Sequence, residues 1–262
     1  RNVRQSKGTR TQINKDFFNQ WDNGASNSPL TIDDRDAIAR SKIPPLYENI
    51  TDKGYLIKWY VNKDDIKRKA LSEKWIMGLD TSDAVGADDI AMVITNAATL
   101  ETVAVARCNE TFVTEFALWV ADILIEQPNT TVIIEKKSSS ATFVETMITK
   151  LIANNIDPFS RMFNMPHQER DERERDYAKM RTMSTANASK IYKRMFGFNT
   201  TRNTRDTLYG EVLTSMVKNA SSNIYDEDLA SQIVGLEERN GRIDHSNGNH
   251  DDLVIAWLLT GY

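Results

Sequence analysis

The sequence lacks several features that would otherwise define its class. It has one cysteine, Cys108, in 262 residues. That excludes an intramolecular disulfide framework and a multi-cysteine zinc site, and it favours a reducing compartment. No apolar run of about 18 residues is present, the length a membrane-spanning helix needs. The first residues also lack the basic-then-apolar layout of a secretory signal. We therefore expect a soluble protein that is not secreted.

An excess of positive charge is missing as well. The formal net charge is −4, which argues against nucleic-acid binding through bulk positive charge and directs attention to local runs of charge. The sequence has no G-x-x-x-x-G-K-[ST] loop. These residues therefore offer no loop of that kind to hold the phosphates of a nucleotide.

Two regions of the chain differ in how regular their hydrophobic pattern is. Residues 1–74 contain several loop-like and proline-containing breaks, which predict a linker or connecting segment. Within it, a helix is predicted over Asp33–Ser41 and a short strand over Tyr55–Tyr60. From Trp75 onward the pattern becomes regular, so the main domain is expected to span residues 75–262.

The regular region predicts an α/β fold. Apolar alternation and helical spacing indicate three strands, a helix, a strand, a helix and further elements before a closing helix. The expected ranges are 75–79, 90–95, 101–107, 112–124, 131–134, 141–153, 202–218 and 252–259. Short links between the first three strands predict an antiparallel meander.

Acidic residues stand at the ends of three of these elements. Asp80 ends the first strand, Glu135 ends the fourth, and Asp251 and Asp252 open the last helix. If the first and fourth strands lie side by side, their carboxylates meet at one edge of the sheet. Hard divalent cations take carboxylate ligands, and two such ions can hydrolyse a phosphodiester. A single aspartate at such a place is usually a turn residue or helix cap, as Asp251 could be, so the prediction depends on the set.

The residues around these carboxylates resemble motifs of a known family, the nuclease domain of the large terminase (DNA-packaging) subunit of tailed double-stranded DNA bacteriophages. Gly78–Asp80 followed by Gly86–Asp88 resembles the first motif, with a second acidic residue eight positions after the first. Val132–Glu135 resembles the second motif. Gly248–Ala256 resembles the third and is the most specific of them.

The resemblance implies a ribonuclease-H-like α/β fold of the resolvase/integrase type, with a mixed central sheet flanked by helices. It implies a two-metal endonuclease that uses Mg²⁺ or Mn²⁺ to cut concatemeric viral DNA when genome packaging starts and ends. The implied catalytic and metal-binding residues are Asp80, Glu135, Asp251 and Asp252, with Asp88 as a further metal ligand. Neighbours on a helix point about 100° apart, so only one of Asp251 and Asp252 is expected to face the metal squarely.

The resemblance also implies partners. In that family an ATPase domain precedes the nuclease, so one is expected before Arg1 in the full-length chain. Double-stranded DNA, the portal and the small terminase subunit are the other implied partners, in the cytoplasm of an infected host cell. Residues 177–205 hold seven basic residues and no acidic one, which suits a phosphate backbone. Their DNA-contact candidates are Lys190, Lys193, Arg194, Arg202 and Arg205, and the alternative is a solvated basic face.

Two other functions stay open at this stage. Junction resolvases and transposases place carboxylates on the same strands and last helix. A docking module could keep such a fold and bind the portal or motor without cutting. The paired aspartates beside His250, the Gly86–Asp88 element and the long insert before the last helix favour the terminase nuclease. Lys136 and Lys137 follow Glu135 and could lie near a scissile phosphate, although solvated lysines are the ordinary alternative.

Overall fold

The computed structural model describes residues 28–81, 90–108, 111–137, 140–164, 195–239, 241–245 and 250–262. These residues form a mixed α/β fold around a six-stranded sheet. Its strands are β1 (Tyr47–Ile50), β2 (Leu56–Trp59), β3 (Trp75–Asp80), β4 (Ile90–Asn96), β5 (Thr102–Cys108) and β6 (Thr130–Ile134). The strand order is β1-β2-β5-β4-β3-β6, and a separate hairpin pairs β7 (Leu236–Arg239) with β8 (Arg242–His245).

The centre of the sheet has the predicted topology. Strands β3, β4 and β5 form an antiparallel meander. Strand β6 pairs with β3 in parallel, so the first and fourth predicted strands do lie side by side. A parallel neighbour needs a crossover, and a helix between β5 and β6 provides it. Two strands that run in the same direction therefore end at the same edge of the sheet.

The helices pack on both faces of this sheet. They are α1 (Ile32–Ser41), α2 (Lys63–Ser72), α3 (Val113–Glu126), α4 (Ser140–Ala153), α5 (Pro158–Arg161), α6 (Arg202–Thr207), α7 (Leu213–Ala220), α8 (Glu227–Val234) and α9 (Asp252–Thr260). A π-helical segment, Leu208–Val212, joins α6 to α7, so the helix predicted over residues 202–218 is interrupted. Within the described ranges, no helix has the length and apolarity needed to cross a membrane.

Each face of the sheet has its own core. Phe116 of α3 and Phe143 of α4 belong to the core on one face. Trp257 of α9 and Leu213 of α7 belong to the core on the other face. All residues of α9 are buried, which is the pattern of a helix covered on every side. Helix α9 is therefore a fixed part of the core, and its first residue is held in a defined position.

The sheet begins upstream of the predicted domain boundary. Strand β2 pairs with β5, and β1 pairs with β2. Residues 47–59 therefore lie within the sheet, upstream of the boundary that the sequence predicts at Trp75. The side chains of β1 are mostly exposed, so that strand lacks the alternation that sequence patterns detect. The predicted helix and strand of this region are found as α1 and β2, whereas residues 1–27 lie outside the described residues.

One close approach fixes α9 against β3. A Cβ atom added at Gly78 would overlap the backbone carbonyl oxygen of Ala256. Because the obstacle is a backbone atom, no side-chain rotation could relieve the overlap. Glycine at this position therefore sets the distance between the sheet and the helix.

We expect Gly78→Ala to lower the free energy of unfolding by ~3 kcal/mol, the upper range for overpacking a core. Gly210→Ala is the matched control, because a Cβ there meets no atom within 4 Å. The control should be as stable as the wild type or slightly more stable. Urea unfolding of the three proteins measures the difference. Equal stability of both variants would contradict the close packing of α9 on β3.

Candidate active site

The ends of β3 and β6 bring two buried carboxylates together. Leu79 is paired with Ile134, and the backbone N–H of Glu135 donates to the carbonyl oxygen of Leu79 at 2.8 Å. Asp80 follows Leu79 and Glu135 follows Ile134, so these two acidic residues are neighbours at the ends of the parallel strands β3 and β6. Both lie on the α9 face of the sheet, since side chains alternate along a strand. Asp80 is 1% exposed and Glu135 is 2% exposed.

Helix α9 adds a third carboxylate. Asp252 is its first residue and is 6% exposed. It precedes Ala256 by about one helical turn and so shares its face of the helix. Gly78 and Asp80 likewise share one face of β3, so the contact between Gly78 and Ala256 directs Asp252 toward Asp80. Asp80, Glu135 and Asp252 form what we call the carboxylate cluster.

Burial and neighbouring charges raise the pKa of one member of the cluster. Burial, and then the charge of Glu135, raise the pKa of Asp80 well above its ordinary value. Lys137 acts in the opposite direction, and Asp252 adds to the rise. His250 lies at the edge, with Nδ1 3.8 Å from Oδ2 of Asp252. A buried carboxylate that lies beside two others attracts cations.

Within the part of the chain that the structure describes, Lys137 places a cation at this site. Its Nζ lies 2.6 Å from Oδ1 of Asp80 and 3.3 Å from Oε2 of Glu135. Burial alone would lower the pKa of Lys137, but the charges of Asp80 and Glu135 and hydrogen bonds to both raise it above its ordinary value. The ammonium group therefore stays charged between the two carboxylates.

The orientation of Glu135 depends on a residue that sequence reasoning missed. The hydroxyl of Thr200 donates to Oε1 of Glu135 at 2.6 Å. Thr200 reaches this place because the backbone of Phe198 bonds to Ile134 and Lys136 on either side of Glu135. Gly197, with φ of 94°, makes the turn that precedes this pairing. The other oxygen of Glu135, Oε2, is buried and faces Nζ of Lys137 at 3.3 Å.

Asp251 belongs to a different group of side chains. Its Oδ2 accepts hydrogen bonds from the Tyr209 hydroxyl at 2.6 Å and from Arg205 at 3.1 Å. Arg205 also pairs with Asp244 at 3.3 Å, and its guanidinium lies 4.6 Å from the ring centre of Tyr209. We call these four residues the Arg205 cluster. The side chain of Asp251 makes no helix-capping hydrogen bond, so capping does not explain this residue.

The predicted DNA contacts are only partly within the described residues. Lys190, Lys193 and Arg194 lie outside them, as does Asp88, the predicted further metal ligand. Arg202 is exposed at the start of α6. The guanidinium of Arg205, the remaining predicted DNA contact, pairs with Asp244 and Asp251.

The donor chemistry of the carboxylate cluster fits a divalent cation. Its ligand atoms are all carboxylate oxygens, and Oε2 of Glu135 is buried beside the ammonium group of Lys137. Hard cations such as Mg²⁺ and Mn²⁺ prefer oxygen ligands of this kind. Among the described residues, no three carboxylate, histidine or cysteine side chains already form a metal cage. Lys137 lies between two of the carboxylates, so a metal ion would have to displace its ammonium group.

No protein-family model and no curated protein matches this chain. Among solved structures, it is similar to the large terminase nuclease from thermophilic phage G20c, with 12% identity and a TM-score of 0.46, covering 89% of this chain and 97% of that one. For the magnesium-bound form of that nuclease, the identity is 12%, the TM-score 0.45 and the coverage 91% and 98%. The chain is also similar to the large terminase nuclease domain of Thermus phage P74-26, with 11% identity and a TM-score of 0.42. That match covers 87% of this chain and 93% of the other.

These solved structures belong to the family that the sequence motifs resemble. The likeness is distant, so we base the function on the residues of the site.

Proposed function

We propose that this chain is the nuclease domain of a large terminase subunit. In this proposal it has a ribonuclease-H-like fold and cuts concatemeric viral double-stranded DNA when packaging starts and ends. The observation that carries the proposal is the carboxylate cluster at the adjoining ends of β3, β6 and α9. The antiparallel meander, the parallel β6 beside β3 and the closing helix support the proposed fold.

Asp80, Glu135 and Asp252 would hold the metal, which we propose to be two Mg²⁺ or Mn²⁺ ions, with Asp88 as a further ligand. Bound there, the metal supplies charge that neutralises a phosphodiester and lowers the pKa of a water molecule. Asp80 interacts electrostatically with both Glu135 and Asp252, so it is the central ligand of the proposal.

Neighbouring residues would hold these ligands in place. Thr200 fixes one oxygen of Glu135 through its hydrogen bond and leaves the other oxygen directed into the cluster. Lys137 keeps Asp80 and Glu135 together when no metal is bound. The buried α9 gives Asp252 a rigid support. We assign Asp251 a positioning role, because it ties the start of α9 to Tyr209 and Arg205.

DNA would be held by contacts to its backbone, with Arg202, Lys190, Lys193 and Arg194 as proposed phosphate ligands. Arg205 would act indirectly, through Asp251. We further propose an ATPase domain before this nuclease in the full-length chain, the portal and the small terminase subunit as partners, and action in the host cytoplasm.

The substrate and the metal test this function together. We expect cutting of linear and supercoiled duplex DNA in millimolar Mg²⁺ or Mn²⁺, binding of Ca²⁺ with little cutting, and no need for zinc. A four-way junction is the control substrate. Cutting confined to the junction would favour a resolvase, and DNA binding without cutting in any metal would favour a docking module.

The adjacent aspartates provide a matched pair of variants. We expect Asp252→Asn to weaken Mn²⁺ binding by at least ~10-fold, which is the scale seen when a metal site loses support. Asp251→Asn should leave the Mn²⁺ affinity nearly unchanged and lower the free energy of unfolding by ~1–3 kcal/mol, because buried donors lose a charged acceptor. Titration calorimetry and urea unfolding measure the two effects. A larger loss of metal affinity in Asp251→Asn would reverse the assignment.

A further inference from the structure

An open cleft of about 260 Å³ has donor-rich walls from β5, α8, β8 and His250, which lies two positions before α9. The lining residues that matter are Arg107, Asp228, Ser231, Gln232, His245 and His250.

Sheet register places Arg107 in the same row as Asp80. Asp80 pairs with Ala91, and Ala91 pairs with Arg107. Ala91 lies in the core on the α9 face, so alternation places all three side chains on that face. The short side chain of Ala91 lies between the two longer side chains in this row. Two interstrand spacings, roughly 9 to 10 Å, separate the backbones of Asp80 and Arg107.

His250 forms a second connection between the cleft and the cluster. It lies two positions before Asp252, with Nδ1 3.8 Å from Oδ2 of that residue. The cleft therefore adjoins the carboxylate cluster both across the sheet and along the chain.

The walls of the cleft suit an anion. Arg107 carries a permanent charge and planar donors, and the imidazoles of His245 and His250 can donate N–H bonds in either charge state. Gln232 accepts the N–H of Leu253 with Oε1 at 3.0 Å, which leaves its amide N–H groups as the donors on its other side.

The acidic residue among these walls is compensated. Asp228 pairs with Lys58 at 2.8 Å. Its negative charge is therefore partly offset at the wall, and Arg107 adds a positive charge to the cleft.

We propose that this cleft, which we call the Arg107 cleft, binds a backbone phosphate of the DNA next to the one that is cut. The inference rests on the proposed nuclease function and adds a substrate-binding site to it. Arg107 is the main phosphate ligand, and His245 and His250 contribute further donors. Contacts of this kind fix the position of the strand on the protein without reading its sequence.

The test is the binding of a fluorescent DNA duplex in Ca²⁺, measured by anisotropy over a range of salt concentrations. Arg107→Gln should weaken binding several-fold and lower the slope of log affinity against log salt by about one. Ser231→Asp should also weaken binding, because it adds a negative charge to the cleft at an exposed helix position. Arg68→Gln is the control. Its side chain is 66% exposed on α2, and the substitution removes the same charge away from the cleft.

Thermal unfolding of each variant first confirms that it is folded. Wild-type affinity and salt slope in both Arg107→Gln and Ser231→Asp would overturn the Arg107 cleft, even in a protein that cuts DNA. The expected losses in a protein that cuts no DNA in Mn²⁺ would support the cleft and refute the nuclease function. An equal loss in Arg68→Gln would show general charge attraction and would also overturn the proposal.

Discussion

Asp80→Asn is expected to abolish DNA cleavage and leave the protein folded. The substitution keeps the size of the side chain and removes the charge at the centre of the carboxylate cluster. We expect the cleavage rate to fall by at least ~10³-fold, the scale found when a single essential group that stabilises charge is removed. The measurement is the rate of plasmid cleavage in saturating Mn²⁺.

Without metal, Asp80→Asn should be at least as stable as the wild type, although it loses cleavage activity. Burial and the charge of Glu135 hold the pKa of Asp80 well above its ordinary value. An aspartate that is harder to ionise in the folded state costs stability as pH rises above its unfolded pKa, about 3.9. An asparagine at this position does not ionise and would carry no such cost. We therefore expect the melting temperature of Asp80→Asn to equal or exceed that of the wild type at pH 7, with a smaller difference near pH 4.

The control for this prediction is Asp122→Asn. Asp122 is half-exposed on α3 and pairs with Lys150, so its charge should matter little for cleavage or stability. Cleavage by a folded Asp80→Asn protein at the rate of this control would remove Asp80 from the active site.

Lys137→Met is expected to have the largest effect on the stability of the metal-free protein. The substitution removes the ammonium group between Asp80 and Glu135 and leaves two buried carboxylates without that cation. Breaking a buried ion pair from one side costs ~3 kcal/mol or more. With saturating Mn²⁺ the difference from the wild type should shrink, because the metal supplies the missing charge. Mn²⁺ should also bind the variant more tightly, since it displaces no ammonium group.

Urea unfolding in chelator and in Mn²⁺ measures both effects, and Lys150→Met serves as the control. The Lys150 side chain pairs with Asp122, which is 52% exposed, so its loss should cost less than ~1 kcal/mol in either condition. If Lys137→Met lost the same stability in Mn²⁺ as in chelator, Lys137 would be a structural residue unrelated to metal binding.

The sequence predicted the parts of the fold that depend on local patterns. The meander of β3, β4 and β5 follows from alternating apolar residues and short links. The same method missed β1, whose side chains are mostly exposed. It also missed the interruption at Leu208–Val212, because one π-helical turn hardly alters apolar spacing.

Local sequence patterns could predict the candidate site residues only where long-range packing does not determine which side chain faces the site. The ends of β3 and β6 located Asp80 and Glu135. The choice between Asp251 and Asp252 depends on the contact of Gly78 with α9, which no local pattern reveals.

The same limit applies to the basic residues of the site. Arg205 was expected among the surface phosphate ligands, and its partners Asp244 and Asp251 are distant in the sequence. Arg107 ends a predicted strand, but only the sheet register aligns it with Asp80. Asp88, Lys190, Lys193 and Arg194 stay predictions.

Plasmid nicking in Mn²⁺, with and without excess chelator, tests the central claim most directly. The carboxylate cluster predicts that the wild-type protein converts supercoiled plasmid to nicked and linear forms in Mn²⁺, and that chelator stops the conversion completely. Cleavage that continued at the same rate in chelator would contradict a metal-dependent site. A folded protein that bound Mn²⁺ and DNA but left the plasmid intact would contradict the nuclease function itself.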